Sequence, residues 1–205
     1  MSTRLILVRH GQTPWNRDSR YQGWRDTGLT RQGRREVKLL ARRMASEPLD
    51  AIYSSDLKRA CYTARKIAKY HNLRVKATDK LREISFGAWE GLTPDQIEAK
   101  WPKLYQRWRA GPANLKIPQG ESVEGFAIRV SEAIDDIVAW HPDQTVLVAT
   151  HGGLIRIAIM KVRGLDLNSW WETRQENGAI NILEFHADGA TAVLQNDISY
   201  LPSSD

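Results

Sequence analysis

The chain has 205 residues, 41% hydrophobic and 26% charged, with a formal charge of +6, which suits one soluble domain large enough to bury a core. A single cysteine, Cys61, excludes an internal disulfide framework and points to a reducing cytoplasm. The start Met1-Ser2-Thr3-Arg4 lacks the pattern of a signal peptide, and no apolar run reaches the roughly 20 residues that would span a membrane.

The apolar run Leu5-Ile6-Leu7-Val8 predicts a buried strand that stops on Arg9-His10-Gly11. A cation, an imidazole and a glycine at a strand end read as an anion site, with His10 placed to attack or to transfer a proton. Gly11, having no Cβ, permits a sharp turn through positive φ or a close approach to a ligand. A polar loop then runs to about Gly28, and a helix begins after the N-cap Thr30. Its apolar positions Val37, Leu40, Ala41 and Met44 follow helical spacing, which leaves Arg31, Arg34, Arg35, Lys38, Arg42 and Arg43 as a solvated face. No aromatics are interleaved with these basic residues, so they do not read as a nucleic-acid module.

A second strand, Ala51-Ile52-Tyr53-Ser54, leads into a helix expected to be capped near Ser55 or Asp56. Leu57, Ala60, Cys61, Ala64, Ile67 and Ala68 form its apolar face, and Arg59 sits outside that set in the first turn. A short extended segment follows at residues 74–77. Trp101, Tyr105 and Trp108 recur at helical spacing as the packed face of a small helical cap. A long helix carries Val123, Phe126, Ala127, Val130, Ile134, Ile137 and Val138. The strand Thr145-Val146-Leu147-Val148-Ala149 then ends on Thr150-His151-Gly152-Gly153. Residues 154–162 predict a helix apolar on nearly every side, sandwiched within the protein. Asn177-Gly178 marks a turn before two strands, near residues 179–185 and 191–195, that form an antiparallel edge hairpin. The tail at residues 202–205 reads as loose. This alternation predicts a three-layer α/β fold in one domain, residues 1–205, with a largely parallel sheet flanked by helices and right-handed crossovers.

Two apolar strands thus end in histidine followed by glycine. In a parallel sheet their C-terminal ends share one edge, so His10 and His151 can converge, and Arg59 lies at that edge after the second strand. Two imidazoles and two guanidiniums suit a dianionic tetrahedral group, because guanidinium offers paired donors to phosphate oxygens. The helix after His151 adds backbone N–H groups and the positive end of its dipole. The pattern is that of a phosphoryl site. His71, His141 and His186 match no motif and read as surface or packing residues, with no spacing that indicates a metal site.

The chain resembles the histidine phosphatase superfamily, which includes the cofactor-dependent phosphoglycerate mutases. The resemblance lies in Leu5-Ile6-Leu7-Val8-Arg9-His10-Gly11-Gln12-Thr13-Pro14-Trp15-Asn16, Gly28-Leu29-Thr30-Arg31-Gln32-Gly33, Ser54-Ser55-Asp56-Leu57-Lys58-Arg59-Ala60, Glu83-Ile84-Ser85-Phe86-Gly87-Ala88-Trp89-Glu90-Gly91, Pro118-Gln119-Gly120-Glu121-Ser122 and Thr150-His151-Gly152-Gly153, in family order over residues 4–183. It implies that His10 is the phosphoryl-accepting nucleophile, that Arg9, Arg59 and His151 hold the phosphoryl oxygens, and that Glu83 is the general acid. Asn16, Gln22, Gly23 and Gly152 would add neutral donors. Glu90 is a weaker competitor for the acid. The cationic side chains supply the electrostatics, so the resemblance implies no metal and no cofactor.

Mutases of the family are generally longer and carry a tyrosine-glycine version of Ser85-Phe86-Gly87. The departure favours the compact phosphatase branch, which includes broad-specificity and α-ribazole phosphatases. The expected reaction is hydrolysis of a small phosphate ester, with residues 84–118 as a cap. Mutase activity, or phospho-ligand binding without turnover, are the alternatives. No nucleic-acid or membrane partner is expected, and exposed aromatics are compatible with a homodimer.

Overall fold

Leu5, Ile6, Leu7 and Val8 are all fully buried, yet they belong to two separate cores. The computed structural model, which describes residues 2–202, shows why. Strand β1 (Ser2–Arg9) lies inside the sheet, so its side chains alternate between two covered faces. Leu5 and Leu7 pack with Phe126, Val130 and Ile134 of helix α6 (Val123–Trp140) and with Leu154 and Ala158 of helix α7 (Gly152–Arg163). Ile6 and Val8 pack with Leu40, Ala41 and Met44 of helix α2 (Arg31–Met44) and with Ala64 and Ile67 of helix α3 (Lys58–Ala68). Burying each such side chain contributes roughly 1.5–3 kcal/mol.

With β2 (Ala51–Ser55), β3 (Val75–Thr78), β4 (Thr145–Thr150), β5 (Ile180–His186) and β6 (Gly189–Asp197), the sheet runs β3-β2-β4-β1-β5-β6. Strands β1 to β4 are mutually parallel, whereas β5 and β6 are antiparallel additions. The three-layer, largely parallel α/β architecture expected from the alternation is the one observed. The tail beyond Pro202 lies outside the described residues.

Local signals hold in most places. Thr30 accepts from the Gly33 N–H at 2.9 Å and caps α2, and every basic residue expected on the outer face of that helix is exposed. Helix α3 differs from expectation. Its N-cap is Leu57 with no side-chain cap, because Asp56 is engaged with Arg82 and Ser55 Oγ accepts from the Leu57 N–H. The first-turn donor is met from a distance instead, as Asp26 accepts from the Lys58 N–H at 2.9 Å. The loop expected up to Gly28 contains a short helix, α1 (Pro14–Arg17), closed by a Thr13/Asn16 capping box. Helices α4 (Pro94–Lys100) and α5 (Pro102–Ala110) occupy the segment before α6, with Tyr105 and Trp108 buried and Trp101 partly so. His141 is buried and hydrogen-bonded with Tyr53, His186 is exposed and His71 half-buried.

Candidate active site

The parallel register of β1 and β4 pairs Arg9 with Thr150, and the His10 N–H donates to the Thr150 carbonyl at 3.0 Å. The next residue of each strand is therefore set beside the other: the His10 and His151 rings lie 5.2 Å apart, edge to face. His10 Nδ1 is 2.8 Å from the Gly11 carbonyl. A carbonyl can only accept, so Nδ1 carries the proton and Nε2 keeps its lone pair. Burial, with help from Arg59 and Arg9, holds the His10 pKa well below the usual imidazole range. Burial and then Arg59 and His10 do the same for His151.

Two guanidiniums flank the pair. Arg9 Nη1 donates to the Gln175 carbonyl at 2.6 Å, and Arg59 donates to the carbonyls of Gly23 and Arg25 at 2.7 and 2.8 Å. Burial lowers both pKa values, Arg59 to about 10, which leaves it cationic at neutral pH. Arg9 Nε, Arg59 Nε and both ring nitrogens of His151 are buried with no hydrogen-bond partner among the described residues. A buried donor left unpaired costs about 1–3 kcal/mol. Several around one point form a receptor for an anion with several acceptor oxygens.

Gly11 is required for a reason other than positive φ. A Cβ on Gly11 would lie 2.4 Å from the Gly33 carbonyl, and one on Gly33 would lie 2.0 Å from that of Gln12, so the two glycines let α2 dock against the loop after His10. Positive φ appears instead at Gly23, at +54°, where the loop passes under Glu90. Asn16 Oδ1 accepts from the Thr13 backbone and hydroxyl and from Asn177, which leaves its amide donors for the cavity.

That cavity encloses about 230 Å³ and is lined by Arg9, His10, Asn16, Gln22, Gly23, Arg59, Glu83 and Gly152. Of the residues to which the resemblance assigned a role at the phosphate, His151 alone is outside the wall, fully buried beside His10. Glu83 is held at the N-terminus of α7, where its Oε2 accepts from the Gly153 N–H at 3.0 Å and its Oε1 from its neighbour Ile84. Glu90 is committed elsewhere, accepting from the Trp24 N–H at 2.9 Å, and does not line the cavity. Residues 5–198 match the histidine phosphatase superfamily, branch 1. The chain belongs to that superfamily.

Its superfamily relatives include phosphoserine phosphatase 1 of Hydrogenobacter thermophilus, 36% identical over 88% of this chain and 85% of that one. A 2,3-bisphosphoglycerate-dependent phosphoglycerate mutase of Brucella melitensis is 34% identical over 94% of this chain and 97% of its own length. Among solved structures, a mycobacterial glucosyl-3-phosphoglycerate phosphatase superposes with a TM-score of 0.87 at 31% identity, covering 96% of this chain and 99% of that one. The superfamily motifs account for the phosphate end of the cavity. Part of the wall was not legible in the sequence: Arg20, Arg156, Trp170, Trp171 and Gln175 line the cavity without belonging to any motif. Only Arg156 carried a usable signal, since it follows Gly152 by four residues on a helix and so shares its face.

Proposed function

We propose that this histidine phosphatase hydrolyses a small phosphorylated metabolite through a phosphohistidine on His10. The observation that carries this reading is the His10 tautomer: Nδ1 is tied to Gly11, and Nε2 is a neutral, lone-pair nucleophile among cationic side chains. Nε2 attacks phosphorus, and the bond to the leaving oxygen breaks as Glu83, in its acid form, protonates that oxygen. Glu83 as carboxylate then takes a proton from water. The water oxygen attacks phosphorus, the P–N bond breaks, and the Nε2 lone pair returns with free phosphate. Arg9, Arg59 and His151, with neutral donors from Asn16, Gln22, Gly23 and Gly152, stabilise the charge that develops on the phosphoryl oxygens.

The phosphatases among the relatives support hydrolysis as the outcome. Residues 84–118 serve as a cap in this proposal, with Trp108 in the wall on the leaving-group side. No helix among the described residues is long and apolar enough to cross a membrane; we place the enzyme in a reducing cytoplasm, in keeping with the free, buried Cys61. A homodimer would bury exposed aromatics such as Trp140, and light scattering tests that.

Incubation with a chromogenic phosphate ester and, separately, with 3-phosphoglycerate tests the reading. Free phosphate is the expected product. A rearranged phosphoglycerate would assign mutase activity, which the Brucella relative represents, and no turnover of either compound would leave a binder.

A further inference from the structure

Four guanidiniums, those of Arg9, Arg20, Arg59 and Arg156, line the cavity opposite a single carboxylate, Glu83. A phosphoryl dianion offsets part of this excess and leaves positive charge over. Arg9 and Arg59 supply the unpartnered buried donors at the phosphate end. Arg20 is engaged with the Gly91 carbonyl and Gln96 Oε1. Arg156 is set apart by the two indoles beside it.

It lies on α7 four residues after Gly152, hence on the same face and roughly 6 Å further along the helix axis. Its guanidinium carbon is 6.0 Å and 5.8 Å from the ring centroids of Trp170 and Trp171. Nη1 donates to the Trp170 carbonyl, and no carboxylate pairs with the side chain among the described residues. Burial, followed by repulsion from Arg9, brings its pKa down to about 10. Glu83 attracts the guanidinium without pairing with it, and a half-buried cation with no carboxylate in contact is paired most favourably by an incoming anion. The indoles restrict the guanidinium and leave its cavity-side donors for that anion.

We propose that Arg156 is a substrate-binding residue that receives a carboxylate on the leaving group, making small phosphorylated carboxylic acids the preferred esters. The location of the phosphate in this inference rests on the phosphohistidine reading above.

The test compares 3-phosphoglycerate with glycerol 3-phosphate, which differ only in a carboxylate for a hydroxymethyl group. Wild type is expected to favour the former by about tenfold or more in kcat/KM, the scale of one charge-assisted hydrogen bond. Arg156→Met should bring the ratio close to one, chiefly through KM, and Arg156→Lys should restore part of it. Calorimetric Kd values for the two esters on His10→Ala, with and without Arg156→Met, should show the same ratio without turnover. Equal proportional losses for both esters would overturn the proposal and make Arg156 a clamp for the Trp170 segment; so would a wild type without preference. If neither these esters nor a chromogenic phosphate ester is hydrolysed, the phosphohistidine reading fails, and the calorimetric ratio still decides Arg156.

Discussion

Glu83 and Gly153 interlock. The Gly153 N–H donates to Glu83 Oε2 at 3.0 Å, and a Cβ on Gly153 would lie 2.1 Å from Oε1. The second glycine after His151 is therefore the space in which the proposed acid stands. Gly153→Ala should displace the carboxylate and lower kcat by about 10- to 100-fold, since a misplacement of about 1 Å costs on that order. Thermal unfolding alongside turnover checks this: a drop in kcat with little change in Tm is expected, and unchanged kcat would free Gly153 of the role.

Glu83→Gln keeps the shape and removes the proton. The loss in kcat should be about 10²–10⁴ for alkyl phosphates, whose leaving oxygens need protonation, and smaller for a nitrophenyl ester, whose leaving group departs as an anion. The two losses are measured side by side. Equal losses would assign the effect to the water-activating step, which all esters share, and a single-turnover measurement of leaving-group release would then show no difference between the two esters.

His10→Ala should abolish turnover to the limit of detection, while His151→Gln should retain measurable activity, because one removes the nucleophile and the other a charge-stabilising donor. Quenching in alkaline detergent after mixing with a radiolabelled ester should trap base-stable, acid-labile phosphate on wild type and none on His10→Ala. Label on His10→Ala would identify a different acceptor.

The two buried imidazoles also set a pH dependence of stability. In the unfolded chain they protonate near 6.5; in the fold both pKa values lie well below that. Below about pH 6.5 the unfolded state thus binds more protons, and stability falls as pH drops from 7 to 5, by up to about 1.4 kcal/mol per pH unit for each histidine. Tm across that range should decline for wild type, and the slope should be shallower for His151→Gln. Parallel slopes would mean that His151 is protonated in the fold.

Trp108 is fully buried among the rings of Tyr21, Phe86, Trp89, Trp170 and Trp171. Its Nε1 donates to Tyr21 Oη at 2.9 Å, and its carbonyl accepts from Trp171 Nε1. Trp108→Ala should cost about 3–5 kcal/mol, a large part of a typical 5–15 kcal/mol stability. Trp108→Phe is the better probe of leaving-group choice. Unequal changes in kcat/KM across several esters would assign selectivity to this wall, and equal changes would leave Trp108 a packing residue.

The two histidines of the site are legible in the sequence because strand ends announce themselves: apolar runs stop, and Arg9-His10 and Thr150-His151 follow. The cap of α3 expected at Ser55 or Asp56 is displaced because Asp56 pairs with Arg82 and Asp26 reaches Lys58, contacts between segments distant in the chain. Gly11 is expected to serve a sharp turn or a close approach to a ligand, whereas the limiting contact is with Gly33, 22 residues away in the chain.

From the residues alone came the α/β class, the two histidine-bearing strand ends and the solvated face of α2, while the choice of Glu83 over Glu90 came from the family resemblance. These are written in periodicity and in local motifs, where neighbours in the chain are neighbours in space. The tertiary structure alone decided which His10 nitrogen is free, what Gly153 makes room for and which residues complete the wall of the cavity. Arg156 meets Trp170 and Trp171 only after α7 and the segment that follows it fold back on the sheet edge. Such contacts depend on packing between elements, which leaves no periodic trace in the sequence.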